Sequence, residues 1–364
     1  MRRLPSRRTK RPPELGLIEG FFGRPWSWEA RGWVMRFLSG HGYRFHIYAP
    51  KADAFLRRRW SEPHPRAEAE AIAAFAADCK AHGVRFGIGL SPFEIYKDFG
   101  PAAREALARK LGWLDDLGVE ELAILFDDMR GDVPNLARRQ VEVVHFAAER
   151  TGADRVIVCP SYYSDDPLLD RVFGQRPDRY LESLGERLDL AIEVFWSGEE
   201  VCAREFSPGH LRRVGEQLRR KPVLWDNYPV NDGPRMSQHL HLRAFTGRPA
   251  AIAPLITAHA INPALQAFLS CIPALTLAES YREGDAYAYG AAFLRAAQAL
   301  AGEKMAARLQ EDLGALEDLG RDRLGKRGRA VRARYARFES PAATEILAWL
   351  DGDDYAAAEE IRTQ

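Results

Sequence analysis

Cysteine is scarce: four residues in 364 (Cys79, Cys159, Cys202 and Cys271), scattered and without a CxxC pair. That spacing argues against a disulfide framework and leaves the four as small buried hydrophobes. An excess of one charge is missing too, since 52 basic and 51 acidic residues leave a net +1. A general nucleic-acid binder would show a basic surplus or stripe, so nucleic acid is not an expected partner. No apolar run reaches the roughly 18 residues that span a bilayer, so no membrane segment is expected. The opening stretch, residues 1–14 (MRRLPSRRTKRPPE), is basic and proline-rich but lacks the apolar core of a secretory signal. It is expected to be a disordered arm, and a cytoplasmic location follows as the default. His239 and His241 merely alternate, with no HExxH set, which argues against a zinc centre. The absence of a GxSxG elbow weakens a serine-hydrolase reading.

What is present is a repeat of short apolar runs, each followed by polar or glycine residues and then a helical stretch. The runs are 16–20 (GLIEG), 44–48 (RFHIY), 85–90 (RFGIGL), 122–126 (LAILF), 155–159 (RVIVC), 190–196 (LAIEVFW), 222–225 (PVLW) and 250–256 (AAIAPLI). Their starts lie roughly 30–40 residues apart, the size of one strand-plus-crossover-helix unit. Good helix formers fill 67–82 and 102–117, closed by Gly83 and Gly118. Eight such units predict an α/β fold, a (β/α)8 TIM barrel over residues 15–280. An open nucleotide-binding sheet would want a phosphate loop after its first strand. The turn there reads Gly20, Phe21, Phe22, Gly23, without GxGxxG spacing, and no GxxxxGK[ST] occurs. Residues 281–364 lose the strand pattern. Helical spacing around 293–300, 305–316 and 346–350 predicts a C-terminal helical appendage, punctuated by Pro341 and Gly352.

Run four carries the most pointed signal. Its five apolar residues end abruptly in Asp127 and Asp128. Two adjacent carboxylates repel each other, and if partly desolvated they cannot both ionise easily near neutral pH. A cap for the next element would explain them structurally, but the C-terminal ends of barrel strands are where active sites lie. The same face should collect Glu19 and Gly20, Lys51, Ser91, Ser161 to Tyr163, Trp196, Trp225 to Asn227, Asp232 and Asn262. Carboxylates, amides, a lysine and tryptophan faces suit a sugar: acids for the glycosidic bond, polar groups for hydroxyls, rings for the C–H side. Each has a structural alternative. Lys51 suits a surface position, Glu19 could pair with Arg24 or Lys51, Trp196 and Trp225 could be core, and Asn262 before a proline is a common turn residue.

The motifs GLIEGFFGRPW, YAPK, ILFDD, CPSYY, WDNYPVND and INP, in this order, resemble the catalytic domain of glycoside hydrolase family 84, the β-N-acetylglucosaminidases that include O-GlcNAcases. The resemblance runs from about residue 14 to about residue 280. It implies that Asp127 orients the substrate's acetamido group and that Asp128 is the general acid/base. It also implies a sugar pocket lined by Gly20, Lys51, Tyr163, Asn227, Asp232 and Asn262. Phe22, Ala52 and Phe93 depart from the family pattern, as does the segment 54–60, where a histidine is missing; these departures bear on the groove beyond the sugar.

The chemistry of the pair agrees with this resemblance. Retaining hydrolases that use a carboxylate nucleophile place two carboxylates about 5 Å apart across the anomeric carbon. Neighbours in sequence share one side of the site. They can both serve if the substrate's own acetamido oxygen attacks, one holding and deprotonating the amide while the other protonates the leaving oxygen. The expected protein is therefore a retaining β-N-acetylglucosaminidase acting on terminal β-linked N-acetylglucosamine of a glycoprotein or glycan, without metal or cofactor. Two alternatives stand beside it: an inactive carbohydrate-binding barrel, and a metal-dependent hydrolase with Asp127 and Asp128 as ligands. Neither the aglycone nor the oligomeric state is legible.

Overall fold

The computed structural model describes residues 12–352. The expected arm lies outside the described residues except for its last three positions, of which Glu14 already opens the first strand. Eight parallel strands close in sequence order into a barrel, and the eighth pairs back onto the first. They are β1 (Glu14–Ile18), β2 (Tyr43–Tyr48), β3 (Arg85–Leu90), β4 (Glu121–Leu125), β5 (Arg155–Cys159), β6 (Glu193–Trp196), β7 (Val223–Asp226) and β8 (Ala258–Ile261). Crossover helices surround them: α1 (Trp28–Ser39), α2 (Arg66–Ala81), α3 (Pro101–Asp116), α4 (Leu136–Ala148), α5 (Pro167–Phe173), α6 (Tyr180–Arg187), α7 (Pro208–Leu218) and α8 (Cys271–Glu283).

The strands are buried on both faces because helices cover the outside and side chains fill the inside, so they read as nearly unbroken apolar runs. The helices begin where the chain offers a cap. Ser27 accepts the Ala30 N–H at the start of α1, and Ser207 does the same for His210 at α7. Gly83 and Gly118 follow α2 and α3 with φ of 65° and 81°, the left-handed exit that closes a helix.

Two expected strands need correction. Residues 250–256 are not a strand; Ala250–Leu255 is a 3-10 turn with Pro254 inside it. Proline cannot donate to a ladder, and the true β8 follows at Ala258–Ile261, disguised by the fully buried His259 at its centre. In run six only Glu193–Trp196 is strand, and Leu190 is 71% exposed.

Beyond the barrel come α9 (Tyr289–Leu313), interrupted at Gly302 with φ 77°, a π turn (Gly314–Leu319), α10 (Lys326–Tyr335) and α11 (Pro341–Asp351). This region grips the loops after β7 and β8 with polar contacts. The Glu317 carboxylate accepts the Leu242 and Arg243 N–H groups, Glu345 accepts those of Phe268 and Leu269, and the Trp349 indole donates to the Ser237 carbonyl. Position 280 falls inside α8, which also carries barrel contacts.

Candidate active site

A recess of about 490 Å³, counted out to solvent, opens at the C-terminal mouth of the barrel. Gly20, Asp127, Asp128, Tyr163, Trp225, Asn227, Asp232 and Asn262 line it, so eight of the nine expected site residues form its wall. The ninth, Lys51, sits behind that wall, 5% exposed, and its ammonium group bonds Oδ2 of Asp127. Strand order explains the convergence. Parallel register puts every strand's last residue on one rim, so side chains far apart in sequence meet there.

The two aspartates occupy unlike environments. Asp127 is 5% exposed; Oδ2 takes the Lys51 bond, while Oδ1 is buried with no hydrogen-bond partner among the described residues. A buried carboxylate oxygen left open is costly unless a ligand completes it. Asp128 follows with φ 58°, a left-handed backbone that re-aims its side chain and that aspartate tolerates better than most residues. Burial of its carboxyl pushes its pKa above the ordinary range, and the neighbouring Asp127 charge pushes it further. Lys51, Arg57 and the Tyr163 hydroxyl pull in the other direction without cancelling the rise. A carboxyl shifted towards its protonated form, beside one with an oxygen free to accept, suits the division of labour that acid/base chemistry requires.

The rest of the wall is tied together. Gly20 donates its N–H to Asn262 Oδ1 at 3.1 Å, and a Cβ at Gly20 would lie 2.1 Å from the Trp225 ring, so only glycine lets the indole approach. Asn262 Nδ2 donates to Asn227 Oδ1 at 2.9 Å, and Trp225 Nε1 donates to the same oxygen at 2.9 Å. Asp232 accepts the Phe22 N–H at 2.6 Å, pinning the first loop to the seventh.

Other strand-end residues turn out to be structural. Glu19 pairs with neither Arg24 nor Lys51; it takes Arg31 at 2.6 and 2.9 Å and His46 at 2.7 Å. Burial alone would raise the Glu19 pKa, but the Arg31 charge and the His46 and Arg31 bonds hold it at about 2. Asp226 turns away from the recess to Arg248 and His259. Trp196 is fully buried and donates to His210, so it is core, whereas Trp225 faces the recess. Sequence reasoning did not assign Phe22, Cys159, Val201, Cys202 and Val230 to the wall. Cys159 ends β5 and is the first residue of the CPSYY motif, a strand-end position that marks it as a rim residue. Burial pushes its thiol well up, so it packs as a neutral group. Among the described residues no cluster of three His, Cys, Asp or Glu side chains is arranged to hold a metal ion.

Fold and recess together define a (β/α)8 barrel with an acidic, aromatic-walled recess at its C-terminal mouth. The chain matches the model of the beta-N-acetylglucosaminidase family over residues 15–313, and it belongs to that family. It is 29% identical over 276 residues to the Protein O-GlcNAcase of Mus musculus, and equally to that of Rattus norvegicus. Those matches cover 73% of this chain, which spans about 30% of the length of these relatives. An O-GlcNAc hydrolase mutant from Thermobaculum terrenum has a similar structure, with a TM-score of 0.77 and 26% identity, covering 93% of this chain and 80% of that one. No helix among the described residues is long and apolar enough to cross a membrane.

Proposed function

We propose that the protein hydrolyses terminal β-linked N-acetylglucosamine, from a glycoprotein or a glycan, with retention and through an oxazoline intermediate. The observation that carries this reading is the open Oδ1 of Asp127 beside Asp128, whose carboxyl is shifted towards its protonated form by burial and by the Asp127 charge. In the first step the acetamido oxygen attacks the anomeric carbon. Asp127 accepts the acetamido N–H and takes its proton as the oxazoline forms. Asp128 gives its proton to the glycosidic oxygen as the C–O bond breaks. In the second step Asp128, now a carboxylate, deprotonates the water that opens the oxazoline, and Asp127 returns its proton to the nitrogen. Lys51 holds Asp127 in place, Trp225 walls the acetamido side, and Asp232 accepts bonds from sugar hydroxyls.

The domain division belongs to the same reading: a catalytic barrel over 15–280 followed by a helical region that supports the loops after β7 and β8. Cytoplasmic residence is supported by four free cysteines, Cys79, Cys159, Cys202 and Cys271. The test is turnover of an aryl β-N-acetylglucosaminide by purified protein, with the aryl β-glucoside as control. Hydrolysis of the first alone, insensitive to EDTA, is expected. Equal hydrolysis of both would refute acetamido participation, and loss in EDTA would favour metal ligation by the pair.

A further inference from the structure

Three consecutive arginines follow β2, and they end differently. Arg59 forks onto Glu62 with bonds of 2.9 and 2.5 Å. Arg57 and Arg58 make no ion pair with a carboxylate among the described residues. Arg57 is only 6% exposed and lies over the rings of Phe22 and Phe93, at 5.5 and 5.7 Å from their centroids. Its Nη2 reaches the backbone carbonyl of Asp128 at 3.5 Å, and its Nη1 is buried with no partner. Arg58 is exposed, its guanidinium 3.8 Å from the Phe93 centroid.

These contacts place Arg57 beside Asp128 and Arg58 on the Phe93 ring that Arg57 also meets. Phe22 lines the recess, and the loop carrying Phe93 closes against Met129 through the Glu94 N–H, 3.2 Å from its sulfur. The charge of Arg57 acts on Asp128, and the other charged groups of this rim pair among themselves. Glu94 is taken by Lys97 at 2.6 Å, and Arg130 by Asp132. Three of the sequence departures noted above, Phe22, Phe93 and the 54–60 segment, thus meet in one feature.

Because Asp128 must reach the glycosidic oxygen, the first atoms of the leaving group lie next to it, against this rim. We propose that Arg57, Arg58, Phe22 and Phe93 form the leaving-group subsite, and that it selects an aglycone bearing an oxyanion, carboxylate or phosphate, near the glycosidic oxygen. Arg58 supplies the accessible contact, while Arg57 supplies a guanidinium whose buried Nη1 has no hydrogen-bond partner among the described residues. The aromatic faces hold both guanidinium groups in place and accept the flat or apolar part of the aglycone. The inference rests on the hydrolase reading.

The test compares meta-carboxyphenyl, meta-phosphonophenyl and meta-carbamoylphenyl β-N-acetylglucosaminides with the full chain. The readout is the ratio of kcat/KM, charged over neutral, in variants relative to the parent, which cancels intrinsic leaving-group reactivity. Arg58→Ala should lower that ratio about two- to fivefold, and Arg57→Met should lower it more. Arg59→Ala, which removes the same charge from the same loop, should leave the ratio where it was. About 1 M salt, with a screening length near 3 Å, should compress the parent's ratio. If Arg57→Met does not fold, Arg58→Ala and the salt series decide. A fall for one anion only names the source. An unchanged ratio in Arg58→Ala, or equal loss for charged and neutral substrates, overturns the subsite. No turnover of any substrate by the parent overturns the hydrolase reading and this inference with it.

Discussion

Buried carboxylates occur in two settings at the mouth of this barrel. Glu19 after β1 and Asp226 at the end of β7 are built alike: each is 0% exposed and engaged by one arginine and one histidine. In each, burial would raise the pKa, and the arginine charge with the arginine and histidine bonds holds it below the ordinary range. The Asp127–Asp128 pair has one lysine between two acids, an open oxygen on the first and a raised pKa on the second. The difference is one of satisfaction. A carboxylate whose lone pairs are filled by its own fold serves the fold, whereas one left incomplete is poised for a ligand. Position at a strand end does not distinguish the two settings, because both lie there.

The largest expected effect breaks the incomplete pair. Asp128→Ala should cost about 10²–10⁴-fold in kcat/KM for alkyl-like leaving groups, while strongly acidic phenols are largely spared in the first step. In the proposed mechanism Asp127 serves the acetamido group common to all substrates, so the loss in Asp127→Ala should be similar whatever the leaving group. Rates across a series of leaving groups check this, and a reversed pattern would exchange the two roles.

Breaking a completed set should cost stability instead. Glu19→Gln removes the charge facing Arg31, which is 1% exposed, and should lower the unfolding free energy by about 3–5 kcal/mol. Denaturant titration reads it. The pH dependence follows from the depressed pKa. Stability from Glu19 is fully present above about 4.5 and is lost as pH falls towards about 2, because the unfolded chain takes up the proton first. In Glu19→Gln that part of the acid slope should vanish.

Asp232→Ala lies between the two settings, since this side chain faces the recess and also holds the Phe22 N–H. Charge-assisted bonds contribute roughly 1.5–3 kcal/mol each, so kcat/KM should fall by well over tenfold. Unchanged kinetics would remove Asp232 from sugar binding.

The smallest effect sharpens the contrast through its sign. Asp128→Asn keeps a residue that tolerates φ 58° and removes a carboxyl whose charged form the fold disfavours. It should stabilise the protein near neutral pH, because the fold disfavours the charged form that the unfolded chain favours there. A fall in melting temperature would mean that Asp128 is structural, like Glu19. In the active parent the basic limb of the rate profile should lie above the ordinary carboxylate range, because activity declines once Asp128 loses its proton.

The sequence by itself determined the barrel and the place of the aspartate pair. Both are local signals: apolar runs at regular spacing specify strands, and the residue after a strand must sit on the rim. It failed where local chemistry misleads. A buried histidine hid β8, and an alanine-rich run containing Pro254 imitated it. Only the tertiary structure decided which polar groups pair, because register across strands brings together residues that sequence separates. Lys51 meets Asp127 from 76 positions away, Gly20 meets Asn262 from 242, and Glu19 finds Arg31 and His46. Which oxygen is left open, and which carboxyl is shifted towards its protonated form, depends on burial and on those partners together, and neither is written in any one stretch of the chain.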